Sequence, residues 1–357
     1  MENQTSHLRA RLEKLRTEEP RLRARDQAER LGVSEAELLS LGLGENVIRL
    51  EGDFKELLKD VKRMGYVMAL TRNDHVVHER KGVYDNLTFY GGAHNMGVAV
   101  NPDIDLRLFM NEWVYALAVI LHREKGGDLH GLQFFNARGE AVHKIYSTPK
   151  SDMQGWAYLI DNYRGAQEPI MITDRSRPVP DPEQPDSEVD ESAFQQDWLD
   201  LKDTHQFFGM LRKYGLSRTQ ALRLAPESMV TAVDNLSVEF VLNTAAERAI
   251  PIMCFVHSAG CIQIHSGPVK QLKWMGKWFN VLDPAFNLHL DTEAISSAYV
   301  VRKPTDDGIV TSLELFDAEG QMITYFFGAR KPGQPELEGW TDILEELAIS
   351  SLSASTK

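Results

Sequence analysis

The chain has only two cysteines in 357 residues, Cys254 and Cys261, and no CxxC pair. So few thiols exclude a disulfide framework and a four-thiolate zinc site, and the pair reads as reduced core residues. No apolar run is long enough to span a bilayer. The N-terminal stretch MENQTSHLRARLEKLRTEE has no apolar segment and does not read as a signal peptide. These absences predict a cytoplasmic protein with no membrane insertion. Positive charge is also short: 39 Lys and Arg stand against 52 Asp and Glu, a net charge of −13. That balance opposes broad affinity for nucleic acid or anionic membranes, while leaving room for a local basic pocket. There is no Walker A loop, no Rossmann fingerprint and no HExxH. Gly91-Gly92-Ala93-His94-Asn95-Met96-Gly97 is rich in glycine but lacks the Gly-Lys-Ser/Thr ending. It reads as an irregular loop.

What the chain does have is an internal repeat. Asn101-Pro102-Asp103-Ile104-Asp105-Leu106-Arg107-Leu108 returns as Asp283-Pro284-Ala285-Phe286-Asn287-Leu288-His289-Leu290. Leu132-Gln133-Phe134-Phe135-Asn136-Ala137-Arg138-Gly139 returns as Leu313-Glu314-Leu315-Phe316-Asp317-Ala318-Glu319-Gly320, and Gly155-Trp156 returns as Gly339-Trp340. The register barely drifts, so two copies of one fold are predicted. They span residues 1–164 and 193–357, joined by a linker at 165–192. Five prolines and many acidic residues in the linker predict an extended or mobile segment. A cleft between the two copies is the natural place for a ligand. Positions where the copies differ are the best candidates for chemistry.

Residues 5–41 read as helices, with Ser34 as an N-cap and Glu37 in the capping-box position. Residues 47–139 read as mostly strand. Within them, Tyr66–Thr71 and His75–Arg80 are candidate hairpin partners, and Leu106–His122 is taken as a long strand. Leu132–Phe135 and Ala141–Tyr146 form a hairpin around residues 136–139. Helices are expected at about 150–163, 192–214 and 336–347, with strands dominating to Phe327 in the second copy. Each half is therefore helices, a large antiparallel sheet, then a helix. The class is α+β rather than a doubly wound parallel fold.

Among the eleven histidines, most read as ordinary surface or core residues. His75 and His78, for example, fall on opposite faces of a strand. His205 stands apart, because Phe194, Trp198, Leu201, His205, Phe208 and Leu211 recur at helical spacing. That pattern places an imidazole on an apolar stripe. Such a histidine is either a core residue bonded to a carbonyl or an axial ligand to a large apolar metal cofactor, with Phe207 and Phe208 supplying apolar contact. Gln27–Ser34 has the look of a helix-turn-helix start, but the acidic chain around it disfavours DNA binding.

Asp203-Thr204-His205-Gln206-Phe207-Phe208-Gly209-Met210-Leu211-Arg212 resembles the heme-ligand helix of the bacterial hemin-degrading and heme-trafficking family of HemS/ChuS type. So do Asp105-Leu106-Arg107-Leu108-Phe109, the duplicated architecture, the proline-rich linker and Phe326-Phe327-Gly328-Ala329-Arg330-Lys331-Pro332-Gly333. The resemblance covers essentially the whole chain. It implies that heme b (iron protoporphyrin IX) is the ligand or substrate, with His205 as its axial iron ligand. It implies Arg107 on the distal face as the catalytic group, with Phe109 and Phe327 lining the pocket. Arg218, Lys303 and Arg330 then contact the propionates or line the pocket. The implied function is cytoplasmic handling of imported heme for iron acquisition. In the degradative role, O2 and an external reductant open the ring and Arg107 stabilises negative charge on oxygen. In the alternative role, the protein is a non-catalytic chaperone that passes heme to a separate oxygenase. Implied partners are an inner-membrane heme importer and a downstream heme oxygenase or reductase. The chain departs from the family pattern at Tyr325 and Phe327, where Gln and Tyr are expected in some relatives, and Phe327 has no hydroxyl.

Overall fold

The computed structural model describes residues 2–355 except 21, 93, 94, 124, 180, 331 and 332. Ala93 and His94 of the glycine-rich stretch, and Lys331 and Pro332 of the closing motif, therefore lie outside the described residues. The fold is α+β, with large antiparallel sheets, and it divides into two compact units.

Unit 1 holds a five-stranded antiparallel run in the order Val47–Leu50, Tyr115–Leu121, Leu129–Phe135, Ala141–Ser151, Gly65–Arg72. A three-stranded run, Asp105–Phe109, Met96–Val100 and Leu87–Tyr90, accompanies it. Unit 2 repeats both arrangements. Its five-stranded run is Val230–Val233, Ser297–Thr305, Gly308–Phe316, Met322–Gly328, Ile252–His257. Its three-stranded run is Phe286–Asp291, Trp278–Leu282, Leu272–Met275. Even irregularities recur. The register slips between Phe134 and Phe135 in unit 1 and between Leu315 and Phe316 in unit 2. A bulge leaves one residue unpaired and bends the strand, so its repetition marks a shared scaffold.

The units are not contiguous halves of the sequence. Unit 1 includes residues 257–263, and unit 2 includes residues 73–78. The two turns make matching bonds. In unit 2, Asn73 Nδ2 donates to the Ile323 carbonyl (2.8 Å) and the amide of Asp291 donates to the His75 carbonyl (2.9 Å). In unit 1, Ser258 Oγ donates to the Val142 carbonyl (2.6 Å) and the amide of Phe109 to the Gly260 carbonyl (2.9 Å).

Alternation of apolar residues along the strands gives each unit its own core. Unit 1 packs Leu57, Leu106, Phe134, Ile145 and Trp156 together with Cys261. Unit 2 packs Val241, Phe279, Leu313, Phe326 and Trp340 with Cys254. Both thiols are free and fully buried, and burial pushes each up to about 12. They are inert core residues, as expected.

Several local expectations change. Residues 106–122 are two strands, because a 3₁₀ turn at Met110–Glu112 interrupts them. Helices Phe54–Asp60 and Ser237–Glu247 stand in stretches read as strand. Each buries one face, Leu57 and Leu58 in the first and Val238, Val241, Leu242 and Ala245 in the second. The first part of the linker is extended and hydrogen-bonded to Glu37. Ile170 and Ile172 are buried, Ile172 N donates to Glu37 Oε1 (3.1 Å), and Arg175 makes two bonds to the Glu37 carboxylate (2.6 and 2.7 Å). Further on, Asp186 and Glu183 grip Arg223. Arg175, Glu183 and Asp186 thus serve as hydrogen-bonding anchors of the linker. At the N-terminus the Ser34–Glu37 capping box forms as predicted. The helices around it, Ala24–Leu31 and Glu35–Ser40, share a small core of Ala28, Leu31, Leu38 and Leu41.

The repeated Gly-Trp pair has a packing reason. Gly155 on helix Met153–Tyr163 lies against backbone: an added Cβ would collide with the Arg63 carbonyl and sit 2.7 Å from the Met64 nitrogen. At Gly339 the nearest obstacle is the end of a flexible side chain, Ile250 Cδ1 at 2.6 Å. Gly155→Ala should therefore cost about 1–3 kcal/mol, and Gly339→Ala distinctly less. Urea unfolding of the two variants measures the difference, and equal losses would contradict this account.

Candidate functional site

The sequence pattern placed His205 on the buried stripe of one long helix. The structure corrects this. Two helices, Glu191–Leu199 and Gln206–Tyr214, are separated by a turn, and His205 is the residue just before the second. Breaking the helix rotates the register. Phe194, Trp198, Leu201, Phe207, Met210 and Leu211 point into the core, whereas the His205 side chain is 93% exposed and Phe208 is 63% exposed. The imidazole is anchored locally: Nδ1 donates to Asp203 Oδ1 (2.6 Å), and the same oxygen accepts the His205 backbone N–H (2.7 Å). Among the described residues Nε2 makes no hydrogen bond.

Phe207, two residues on, fixes this turn to the sheet. Its ring lies under Lys303 Nζ at 4.6 Å and Arg218 Cζ at 5.2 Å, both within cation–π range. Both cations converge on one carboxylate. Arg218 reaches Glu314 through two nitrogens (2.7 and 2.8 Å), and Lys303 Nζ reaches it at 2.8 Å. Ser312 Oγ adds a bond to Glu314 at 2.9 Å. Glu314 is fully buried and the Lys303 side chain is 3% exposed. Burial alone would raise the Glu314 carboxyl, but Arg218 and Lys303 outweigh it and hold it well below the usual carboxylate range. Burial brings the Lys303 ammonium down to about 8, with Glu314 offsetting only part of that cost. Arg218 and Lys303 are thus not free cations awaiting a ligand. They are the two arms of an internal ion triad.

Beside the triad the sheet presents an aromatic face. Tyr325 stacks on Phe255 (4.8 Å between centroids, 14° between planes), and Phe327 meets both edge-on. Arg218 Cζ lies 5.7 Å from the Tyr325 ring, so the aromatic face and the triad are continuous. All three rings are half-buried. Arg330, just past strand Met322–Gly328, is different from the other two cations. Its Nη1 is shielded from solvent and has no hydrogen-bond partner among the described residues, and its nearest carboxylate, Asp307, is 4.0 Å away. A shielded guanidinium N–H without a partner is costly unless an anion completes it.

Unit 2 therefore carries His205, Arg218, Lys303, Phe327 and Arg330, with Arg218 and Lys303 over Phe207 and Arg218 beside Tyr325. Arg107 and Phe109 belong to unit 1. Arg107 pairs with Asp105 and also donates to the Leu106 carbonyl at 3.1 Å, and Phe109 is half-buried on the same strand face. The sequence reading missed Asp203 and Glu314. Glu314 was visible as a difference between copies, since Gln133 occupies its place in the first. Asp203 carried the signal of a short carboxylate two residues before a histidine, a spacing that closes a local turn.

An apolar wall, an exposed imidazole and a guanidinium with spare capacity are what a flat, dicarboxylated iron ligand such as heme requires. The chain belongs to the Haemin-degrading HemS.ChuX domain family, whose model matches twice, at residues 32–163 and 215–347. It is 36% identical over 340 residues to the hemin transport protein HmuS of Yersinia pestis, covering 95% of this chain and 96% of that one. Among solved structures it is similar to holo-PhuS, a heme-binding protein from Pseudomonas aeruginosa, with 44% identity, 96% and 99% coverage and a TM-score of 0.92. It is also similar to the heme degrading enzyme ChuS of Escherichia coli O157:H7, with 32% identity, 96% and 99% coverage and a TM-score of 0.88. The chain is thus a member of a family that includes hemin transport proteins. Among the described residues no helix is long and apolar enough to cross a membrane.

Proposed function

We propose that the chain binds heme b through Nε2 of His205 and handles imported heme in the cytoplasm as an iron source, opening the ring oxidatively with O2 and an external electron donor. The observation that carries heme ligation is the His205 side chain itself, 93% exposed and held through Nδ1 to Asp203. Neutral imidazole suits iron. The Phe255–Tyr325–Phe327 face offers apolar surface to a porphyrin, and Arg330 Nη1, without a hydrogen bond among the described residues, suits a propionate. Arg218 and Lys303 enter the reading as the support that holds Phe207, and hence the ligand's turn, in place. Arg107 enters as the distal catalytic arginine, with Phe109 beside it, on the strength of family resemblance. The heme supplies the oxidative chemistry, and the protein supplies ligation, orientation and exclusion of water.

A second reading, a chaperone that hands heme to a separate oxygenase, is favoured by one observation: Arg107 is already engaged by Asp105 and the Leu106 carbonyl. An inner-membrane importer upstream, and a reductase or oxygenase downstream, are the partners the two readings imply. One experiment separates them. The hemin-loaded protein is given a reductant in the presence of catalase, which removes free peroxide. Loss of the Soret band with release of iron and a linear tetrapyrrole is the expected result, and Arg107→Ala should slow it more than it weakens binding. A stable complex that yields its heme intact to an oxygenase would overturn the degradative reading in favour of the chaperone.

A further inference from the structure

We infer that Asp203 is a positioning residue that selects the iron-facing nitrogen of His205 and sets the electron-donating strength of the imidazole. The inference rests on the reading of His205 as the heme ligand. A carboxylate only accepts, so the 2.6 Å contact places the imidazole proton on Nδ1 and leaves the Nε2 lone pair for the metal. The second bond from the same Oδ1, to the His205 backbone N–H at 2.7 Å, locks the carboxylate to the turn. Because donor and acceptor are two residues apart, little entropy is lost in holding them together even where water competes. The helix start adds rigidity: Gln206 N donates to the Asp203 carbonyl at 3.1 Å, and Gln206 Oε1 accepts from Lys202 N at 2.9 Å. Arg330 adds a favourable charge interaction with the same carboxylate.

A ligating histidine whose other nitrogen donates to a carboxylate is a stronger base, and losing such a partner typically changes metal affinity about 10–100-fold. A negative charge behind the ring stabilises the more positive ferric ion over the ferrous one. Asp203 thus acts on the metal through His205 and needs no contact with heme. The competing explanation is that Asp203 merely closes the turn before helix Gln206–Tyr214. Asp203→Asn separates the two, because asparagine keeps the acceptor oxygen for the His205 amide while removing the charge.

The test uses the full chain with hemin as probe, in wild type, Asp203→Asn, Asp203→Glu, Asp203→Ala and His205→Ala. In Asp203→Asn, helix content by circular dichroism should be unchanged. The ratio of ferric to ferrous hemin affinity should fall about tenfold, equivalent to a rise of about 59 mV in the one-electron potential. The iron–histidine stretching frequency of the ferrous complex should fall as well. Asp203→Glu, which restores the charge, should return part of both shifts. If Asp203→Asn matches wild type in potential and stretching frequency while Asp203→Ala loses helix, Asp203 is a turn residue only and the inference is overturned. If His205→Ala leaves the hemin spectrum and affinity unchanged, the ligand assignment fails first and takes the inference with it.

Discussion

Replacing Glu314 by Gln should lower the unfolding free energy by about 3–5 kcal/mol, the usual cost of leaving a buried charge without its partner. Glutamine preserves the shape and one acceptor, so the loss reports charge rather than volume. It strands the Lys303 ammonium, 3% exposed, beside Arg218 with no counter-ion. The effect has a defined pH dependence. Arg218 and Lys303 hold the folded-state Glu314 carboxyl below its ordinary value of 4.5. Its contribution to stability is therefore complete above about 4.5 and drains away as the pH falls from there toward the folded-state value. The stability difference between wild type and Glu314→Gln, measured by urea unfolding, should shrink as the pH falls below about 4.5. A difference that grows in acid would contradict the assignment. The double replacement Glu314→Leu with Lys303→Met should recover much of the loss, because well-packed apolar groups substitute for buried ion pairs at little cost. Recovery of stability need not restore binding. The cations over Phe207 hold the turn that carries His205, so hemin affinity should remain below wild type.

His205→Ala should show the opposite pattern, with stability unchanged to within about 0.5 kcal/mol and hemin binding largely lost. The side chain buries almost nothing, being 93% exposed, and its one side-chain bond is to a partner that keeps its backbone contact. Removing it creates neither a cavity nor an unpaired buried group. If Nε2 is the iron ligand, its removal should weaken hemin binding by more than the 10–100-fold typical of changes one shell out. The Soret maximum should move as the axial ligand is lost. Titration of the apo-protein with hemin gives both numbers, and thermal unfolding gives the stability. A variant that is destabilised but binds hemin normally would mean that His205 is structural. The contrast with Glu314→Gln is diagnostic, since one change acts through the scaffold and the other through the ligand.

The histidine shows how tertiary structure revises a pattern read from helical spacing. Helical spacing put His205 on the apolar stripe because the pattern was extended through Asp200–Asp203, where the helix in fact ends and restarts. The stripe survives, but Phe207 rather than Phe208 belongs to it. The basic residues tell a similar story. Arg218, Lys303 and Arg330 look alike in the sequence as cations suited to carboxylates. Only the fold distinguishes two that are saturated by Glu314 from one whose Nη1 makes no hydrogen bond among the described residues and lies 4.0 Å from Asp307.

By itself the sequence determined the duplication, the α+β class, the hairpins and the capping box. These depend on local periodicity and on short-range turn and cap chemistry, and both copies of the repeat report them independently. It also singled out His205, because a rare residue type in an aromatic context is visible one residue at a time. Tertiary structure alone decided that two turns are exchanged between units, that the linker is strapped to Glu37, and that Glu314 collects Arg218 and Lys303 beneath Phe207. Those outcomes rest on pairs far apart in the chain, Arg175 with Glu37 and Arg218 with Glu314. Burial raises the free-energy cost of leaving a charge unpaired, and which charges are buried together is fixed only when the sheets form.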